Sequence, residues 1–173
     1  MHKSSLEKFI ESVRQNWQGL NTNSVLKCRS LLVDLAKTSA DEPWLAQIHA
    51  QRPASIELYS DTDWGFKLLA HTEPQGLYRA PHDHGEGWVL YAPQYGELEI
   101  TTYKQITARN GQTNLIGRGA EILTAGQCKV YLPRDIHDTR CLSDYLVQFR
   151  FTSCDFKLEK QQGRMIEFAS TSI

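Results

Sequence analysis

No apolar stretch of this chain approaches the length of a membrane span, and its first residues run into helical periodicity without the apolar region of a signal peptide. A soluble, cytoplasmic protein is expected. The four cysteines, Cys28, Cys128, Cys141 and Cys154, include no C-x-x-C pair. That argues against a disulfide framework or a structural zinc knuckle and for reduced, mostly buried thiols. There is no run of like charges and the formal net charge is -1, so nothing calls for nucleic acid or an anionic membrane as partner. Long repeats and low-complexity tracts are also missing. With 173 residues, 40% of them hydrophobic and 23% charged, the chain suits a single globular unit.

What is present falls into two parts with a boundary near residue 51. Ser4 followed by Glu7 makes a capping-box signal, after which Leu6, Phe9, Ile10, Val13 and Trp17 recur at helical spacing as far as Gly19. A second helix is expected after Asn21 to Ser24, with Val25, Cys28, Leu32, Leu35 and Ala36 on one face. A short third one opens at Asp41 and Pro43, and Pro53 ends the helical part. From Ser55 the pattern changes to short β-branched and aromatic runs separated by turn formers. Strands are expected at 55–59, 65–71, 77–84, 87–92, 97–104, 113–117, 120–123, 128–132, 136–141, 145–152 and 164–169. Asn110-Gly111 is a strong hairpin turn and Gln162-Gly163 a weaker one. The segment 1–50 thus reads as helical and 51–173 as a β domain.

The stretch that says most about chemistry is Gly76-x5-His82-Asp83-His84-x4-Val89-x6-Gly96. Side chains one residue apart on a strand share a face, so His82 and His84 could grip one metal ion. Glu86 is the nearest acid but reads as a surface residue or one outside the ligand set. Asp83 and Asp138 alternate off the face of the neighbouring histidines and read as surface or turn carboxylates. Arg79, three residues before His82, is turned away by parity and reads as structural. His2, His49 and His71 have no metal-ligand spacing and read as ordinary histidines, with His71 a reserve ligand.

This frame resembles the first motif of the cupin superfamily, with Val89 where many members carry a metal-binding glutamate. The second cupin motif is matched loosely by Gly126, Pro133, Asp135 and His137, with Cys141 at its asparagine position. The resemblance implies an all-β, double-stranded β-helix (jelly-roll-like) barrel behind a short N-terminal α-helical segment. It makes His137 the third metal ligand beside His82 and His84. Three neutral imidazoles leave the charge of the metal uncompensated, which favours anionic ligands such as a thiolate or carboxylate. Among three-histidine cupins the chain is most similar to the cysteine dioxygenase (thiol dioxygenase) group and the related predicted metal-dependent double-stranded β-helix enzymes. The string Pro81-His82-Asp83-His84-Gly85 with Trp88, and the segment Gly96 to Tyr103, carry that similarity.

The resemblance implies a mononuclear non-haem Fe(II) centre, with dioxygen as co-substrate and a small anionic, thiol-bearing substrate oxidised to a sulfinate. It also exposes departures. On the late strand, where the family places Ser, His and Tyr, this chain has Gln148, Arg150 and Thr152. The residue that forms a Cys–Tyr crosslink in some members corresponds to Val89.

Two orientations of that strand stand open. Either Gln148 and Arg150 face inward, with Arg150 on a substrate carboxylate, or Phe149 and Phe151 fill the barrel and Arg150 is solvated. Tyr91 and Tyr103 are candidate hydroxyl donors near the site, though both could be plain sheet formers. Zn, Ni or Mn at the same ligands would instead serve a hydrolase, isomerase or lyase, and a non-catalytic metabolite-binding cupin is a third possibility. A monomer or homodimer is expected.

Overall fold

The structure, a computed structural model, describes residues 3–169. Three helices come first: α1 (Ser5–Asn16), α2 (Thr22–Ala36) and α3 (Pro43–Gln51). Ser4 caps α1 in the expected reciprocal box, its side chain accepting from the Glu7 amide while the Glu7 carboxylate accepts from the Ser4 amide. Asn21 caps α2 by accepting from the Ser24 amide, and Pro43 opens α3.

Nine strands follow among the described residues: β1 (Ile56–Ser60), β2 (Lys67–Pro74), β3 (Tyr78–His82), β4 (Val89–Tyr95), β5 (Glu97–Thr107), β6 (Thr113–Thr124), β7 (Lys129–Tyr131), β8 (Ile136–Cys141) and β9 (Tyr145–Thr152). Their pairing defines the architecture. β5 pairs with β6, β4 with β7, β3 with β8 and β2 with β9, all antiparallel, so the chain is one long hairpin with Asn110-Gly111 at its tip. Winding that hairpin up brings β4 beside β9 and β5 beside β8. The result is two facing sheets, β1-β2-β9-β4-β7 and β3-β8-β5-β6. This is the jelly-roll, double-stranded β-helix arrangement.

Two of the expected elements take another form. The runs 113–117 and 120–123 are one continuous strand, β6, because Gly117 and Gly119 are accommodated at an irregularity opposite Thr101 to Tyr103. Residues 164–169 are not a strand. After β9 the chain forms α4 (Phe156–Gln161), capped by Asp155 accepting from the Lys157 amide, and the tail then makes a single bridge, Glu167 to His82. Arg164 is drawn to the buried Glu159 of α4 at 2.5 Å, so the tail crosses the end of β3 instead of running along it.

Core packing decides which way β9 faces. The helices lie on the outer face of the five-stranded sheet: Phe9 meets Phe151 edge-on at 6.1 Å, and Trp44 packs on Phe149 at 5.7 Å. Trp17 stacks on Trp88 at 5.6 Å. Phe149 and Phe151 therefore belong to the helix–sheet core, with Leu32, Leu45, Leu68 and Leu90. Inside the barrel a second, smaller cluster of Val89, Tyr91, Leu98, Ile100, Tyr131 and Leu146 fills part of the space and leaves the rest to polar groups. Truncating the fully buried Phe151 to alanine opens both a cavity and the helix contact. The expected cost is about 3–5 kcal/mol in urea denaturation, and a change below about 1 kcal/mol would contradict this packing.

Gly96, the last residue of the histidine motif, shows why a motif of this kind carries glycine. Its φ is +88°, and a Cβ there would meet the Tyr145 carbonyl oxygen at 2.5 Å, so the tight turn between β4 and β5 excludes any side chain.

Candidate metal centre

His82 closes β3 and sits opposite His137 of β8, so register alone places their rings side by side, 4.9 Å apart. His84 lies beyond the strand, in the turn that follows. Its approach is set by Asp83, a buried carboxylate that accepts from the Gly85 and Ile166 amides. Asp83 is therefore a turn anchor, as one of its two expected readings had it, and it is not on the surface. The His84 ring comes 5.0 Å from His82 and 4.9 Å from His137, and one ligand atom from each of the three histidines lies within 4.8 Å of the others.

The chemistry of the cluster fits a metal ion. The His82 Nδ1–H donates to the Ala80 carbonyl at 2.8 Å, which holds the ring and leaves Nε2 as the lone-pair nitrogen. His84 Nδ1 and both ring nitrogens of His137 are buried without a partner among the described residues, and a bound cation would satisfy one lone-pair nitrogen of each ring. Burial lowers the pKa of all three imidazoles. For His84 and His137 the neighbouring histidines push the same way, and Arg150 lowers all three further, so they stand neutral, as ligands must. Val89 is buried inside the barrel among apolar groups, so its position offers no carboxylate. Glu86 is on the surface, paired with Arg134 at 2.6 Å.

Aromatic rings wall the cluster. Tyr131 stacks on His137 at 4.0 Å and Phe156 of α4 on His84 at 4.7 Å. The Tyr91 hydroxyl is 3.2 Å from His84 Nε2, and burial raises its pKa, so it remains a protonated hydroxyl. Tyr103 is placed elsewhere. Register sets it opposite Ile136, on the outer face, where its hydroxyl donates to Asp138 at 2.6 Å, as the Tyr78 hydroxyl does at 3.0 Å. Asp138 is thus buried and bonded beneath two tyrosines, not a surface group.

Because Phe149 and Phe151 face the helices, Gln148 and Arg150 face the barrel interior. Gln148 donates to Glu73 at 3.4 Å. Arg150 has its guanidinium carbon 5.4 Å from the Phe156 ring, its Nε is buried without a partner, and no carboxylate lies within 4.0 Å of it among the described residues. It opens onto a cavity of about 330 Å³ lined also by His71, Thr152, Phe156, Lys157 and Lys67, the last paired with Glu57 and Asp155 of the same wall.

Glu73 was not legible as a site residue, and His71 was expected only as a reserve ligand, whereas Gln148 was a candidate beside Arg150. Glu73, His71 and Gln148 form one inward-facing patch only because β2 pairs with β9 in this register, His71 opposite Gln148. Arg79 reaches Glu73 at 3.0 Å across the two sheets. An irregularity between Arg79 and His82 in the β3–β8 pairing cancels the parity that would have turned it away. His49 is a packing histidine, bonded to Gln94 and Tyr145, and His2 lies outside the described residues.

No family model and no curated protein matches this sequence. Among solved structures, the chain is similar to the cupin domain of Cnp3 from Schizosaccharomyces pombe (TM-score 0.47, 9% identity), covering 64% of this chain and 66% of that one. It is also similar to KdgF from Halomonas sp. (TM-score 0.45, 14% identity, 60% of this chain and 82% of that one). A third is procruciferin, an 11S globulin from Brassica napus (TM-score 0.41, 13% identity), where 51% of this chain matches only 21% of the other. The strand order defines the class: this is a cupin-fold protein with a three-histidine cluster in its barrel.

Proposed function

We propose that this protein is a mononuclear Fe(II) oxygenase that adds dioxygen to a small anionic thiol. The observation that supports this reading is Arg150, a guanidinium with no carboxylate within 4.0 Å among the described residues, which faces the barrel interior and whose charge acts on all three imidazoles. A metal held by His82, His84 and His137 would keep its positive charge and favour a thiolate. Bound there, iron would supply the centre at which thiolate and dioxygen react, both oxygen atoms passing to sulfur to give a sulfinate.

The chain's own groups do the rest. Arg150 would hold the substrate carboxylate, its planar fork matching two oxygens, and so fix the distance between carboxylate and thiol. Tyr91 keeps its proton and offers a hydroxyl at the edge of the cluster. Phe156 and Tyr131 exclude water from two sides.

The test is anaerobic purification with metal analysis, then oxygen uptake against cysteine, 3-mercaptopropionate and cysteamine. One iron per chain and uptake on a carboxylate-bearing thiol are expected. Zinc, nickel or manganese without uptake on any thiol would sink the proposal in favour of Lewis-acid chemistry at the same histidines.

A further inference from the structure

We infer that the inner face of β2 carries a second recognition element, formed by His71 Nε2 and Glu73 Oε2, that accepts hydrogen bonds from a donor substituent beside the substrate carboxylate. The inference rests on the proposed placement of that carboxylate on Arg150.

Alternation puts His71 and Glu73 on one face, with Cα atoms about 6.6 Å apart at the usual strand rise. The β2–β9 register sets His71 opposite Gln148, the inward neighbour of Arg150, and His71 lines the same cavity as Arg150. Each residue has one polar atom tied up and one free. His71 Nδ1 lies 3.3 Å from the Ala54 carbonyl, which can only accept, so Nδ1 carries the proton and Nε2 presents a lone pair. Glu73 Oε1 accepts from Arg79 and Gln148, while Oε2 has no partner.

Both residues are enclosed, at 7% and 1% exposure. Burial, with the charge of Arg150, holds the His71 pKa down to about 3, so the ring stays an acceptor near neutral pH. Two adjacent buried acceptors without a donor are costly, and a ligand that brings a donor removes the cost. A carboxylate cannot do so. Arg150 and this patch therefore divide the ligand, with the acid on the guanidinium and an amine or hydroxyl on β2.

Three thiols differing only at carbon 2 test this: 3-mercaptopropionate with hydrogen, 3-mercaptolactate with hydroxyl and cysteine with ammonium. Each would be titrated calorimetrically into metal-loaded protein under argon. The better of the two donor-bearing thiols should bind about tenfold more tightly than 3-mercaptopropionate, and which of them leads identifies the donor. In His71→Phe or Glu73→Gln that advantage should fall to within about threefold, with the affinity for 3-mercaptopropionate little changed. The unchanged affinity also reports an intact fold.

Three thiols of equal affinity in the native protein would overturn the inference and leave an ordered water as the partner of these acceptors. Equal weakening of all three in both variants would overturn it as well. The binding order persisting without oxygen uptake would overturn the oxygenase proposal alone, and no binding of any thiol would overturn both.

Discussion

Replacing His137 with alanine should abolish metal binding, taking the protein from one bound divalent ion per chain to a trace by elemental analysis, and His84→Ala should do the same. The reason is geometric. His137 is fully enclosed, its ring stacked on Tyr131 and facing both other histidines, with neither nitrogen partnered among the described residues. Removing it leaves two ligands where three neutral nitrogens are needed to hold an ion without a carboxylate.

A thermodynamic signature accompanies the loss. Metal that binds only the folded state stabilises it by about 4 kcal/mol at a free concentration a thousand times the dissociation constant. Native protein should therefore melt higher with added metal, and His137→Ala should not respond. Metal-free forms should differ much less, since the cavity left by the ring is offset by the loss of two unpartnered nitrogens. Full metal content in both variants would refute the three-histidine centre.

Arg150→Ala should lower kcat/KM for 3-mercaptopropionate by about 30- to 5000-fold, the effect of truncating one partner of an enclosed charge pair worth about 2–5 kcal/mol. Cysteamine, which has no carboxylate, should show little change. Arg150→Lys keeps the charge but loses the planar fork, so it should recover part of the loss on 3-mercaptopropionate. Because Arg150 has no carboxylate partner among the described residues, its removal strands no buried acid there, and melting should move little. Equal losses on both thiols would mean that Arg150 acts on the fold or on the metal and does not bind the carboxylate.

Arg150 also shows where sequence reasoning stops. Alternation along β9 makes Gln148 and Arg150 one face and Phe149 and Phe151 the other, but it cannot say which face is inside. In an isolated barrel the phenylalanines would fill the interior. Here the helices supply a second core on the outside of the sheet, through Phe9 and Trp44, and that core takes the phenylalanines. The polar pair is thereby released to the interior.

Tyr91 and Tyr103 make the same point, since both are strand tyrosines of similar promise. Pairing register puts one beside His84 and the other against Asp138 on the far side. His82 and His84 were paired by strand alternation, yet only His82 is in the strand, and His84 arrives through a turn held by Asp83.

By itself the sequence determined most of the elements and the residue types of the candidate site. The capping box, the Asn110-Gly111 turn, the glycine that Gly96 must be and the His82/His84 pair are local chemistry, written in spacing and backbone conformation, while His137 and the missing carboxylate at Val89 came from the resemblance to the cupin motifs. The tertiary structure alone decided orientation: which face of β9 looks inward, which tyrosine meets the histidines, and that Glu73, His71 and Gln148 share a patch. Those depend on strand register and on which of two cores claims each aromatic ring, and both are settled between segments tens of residues apart.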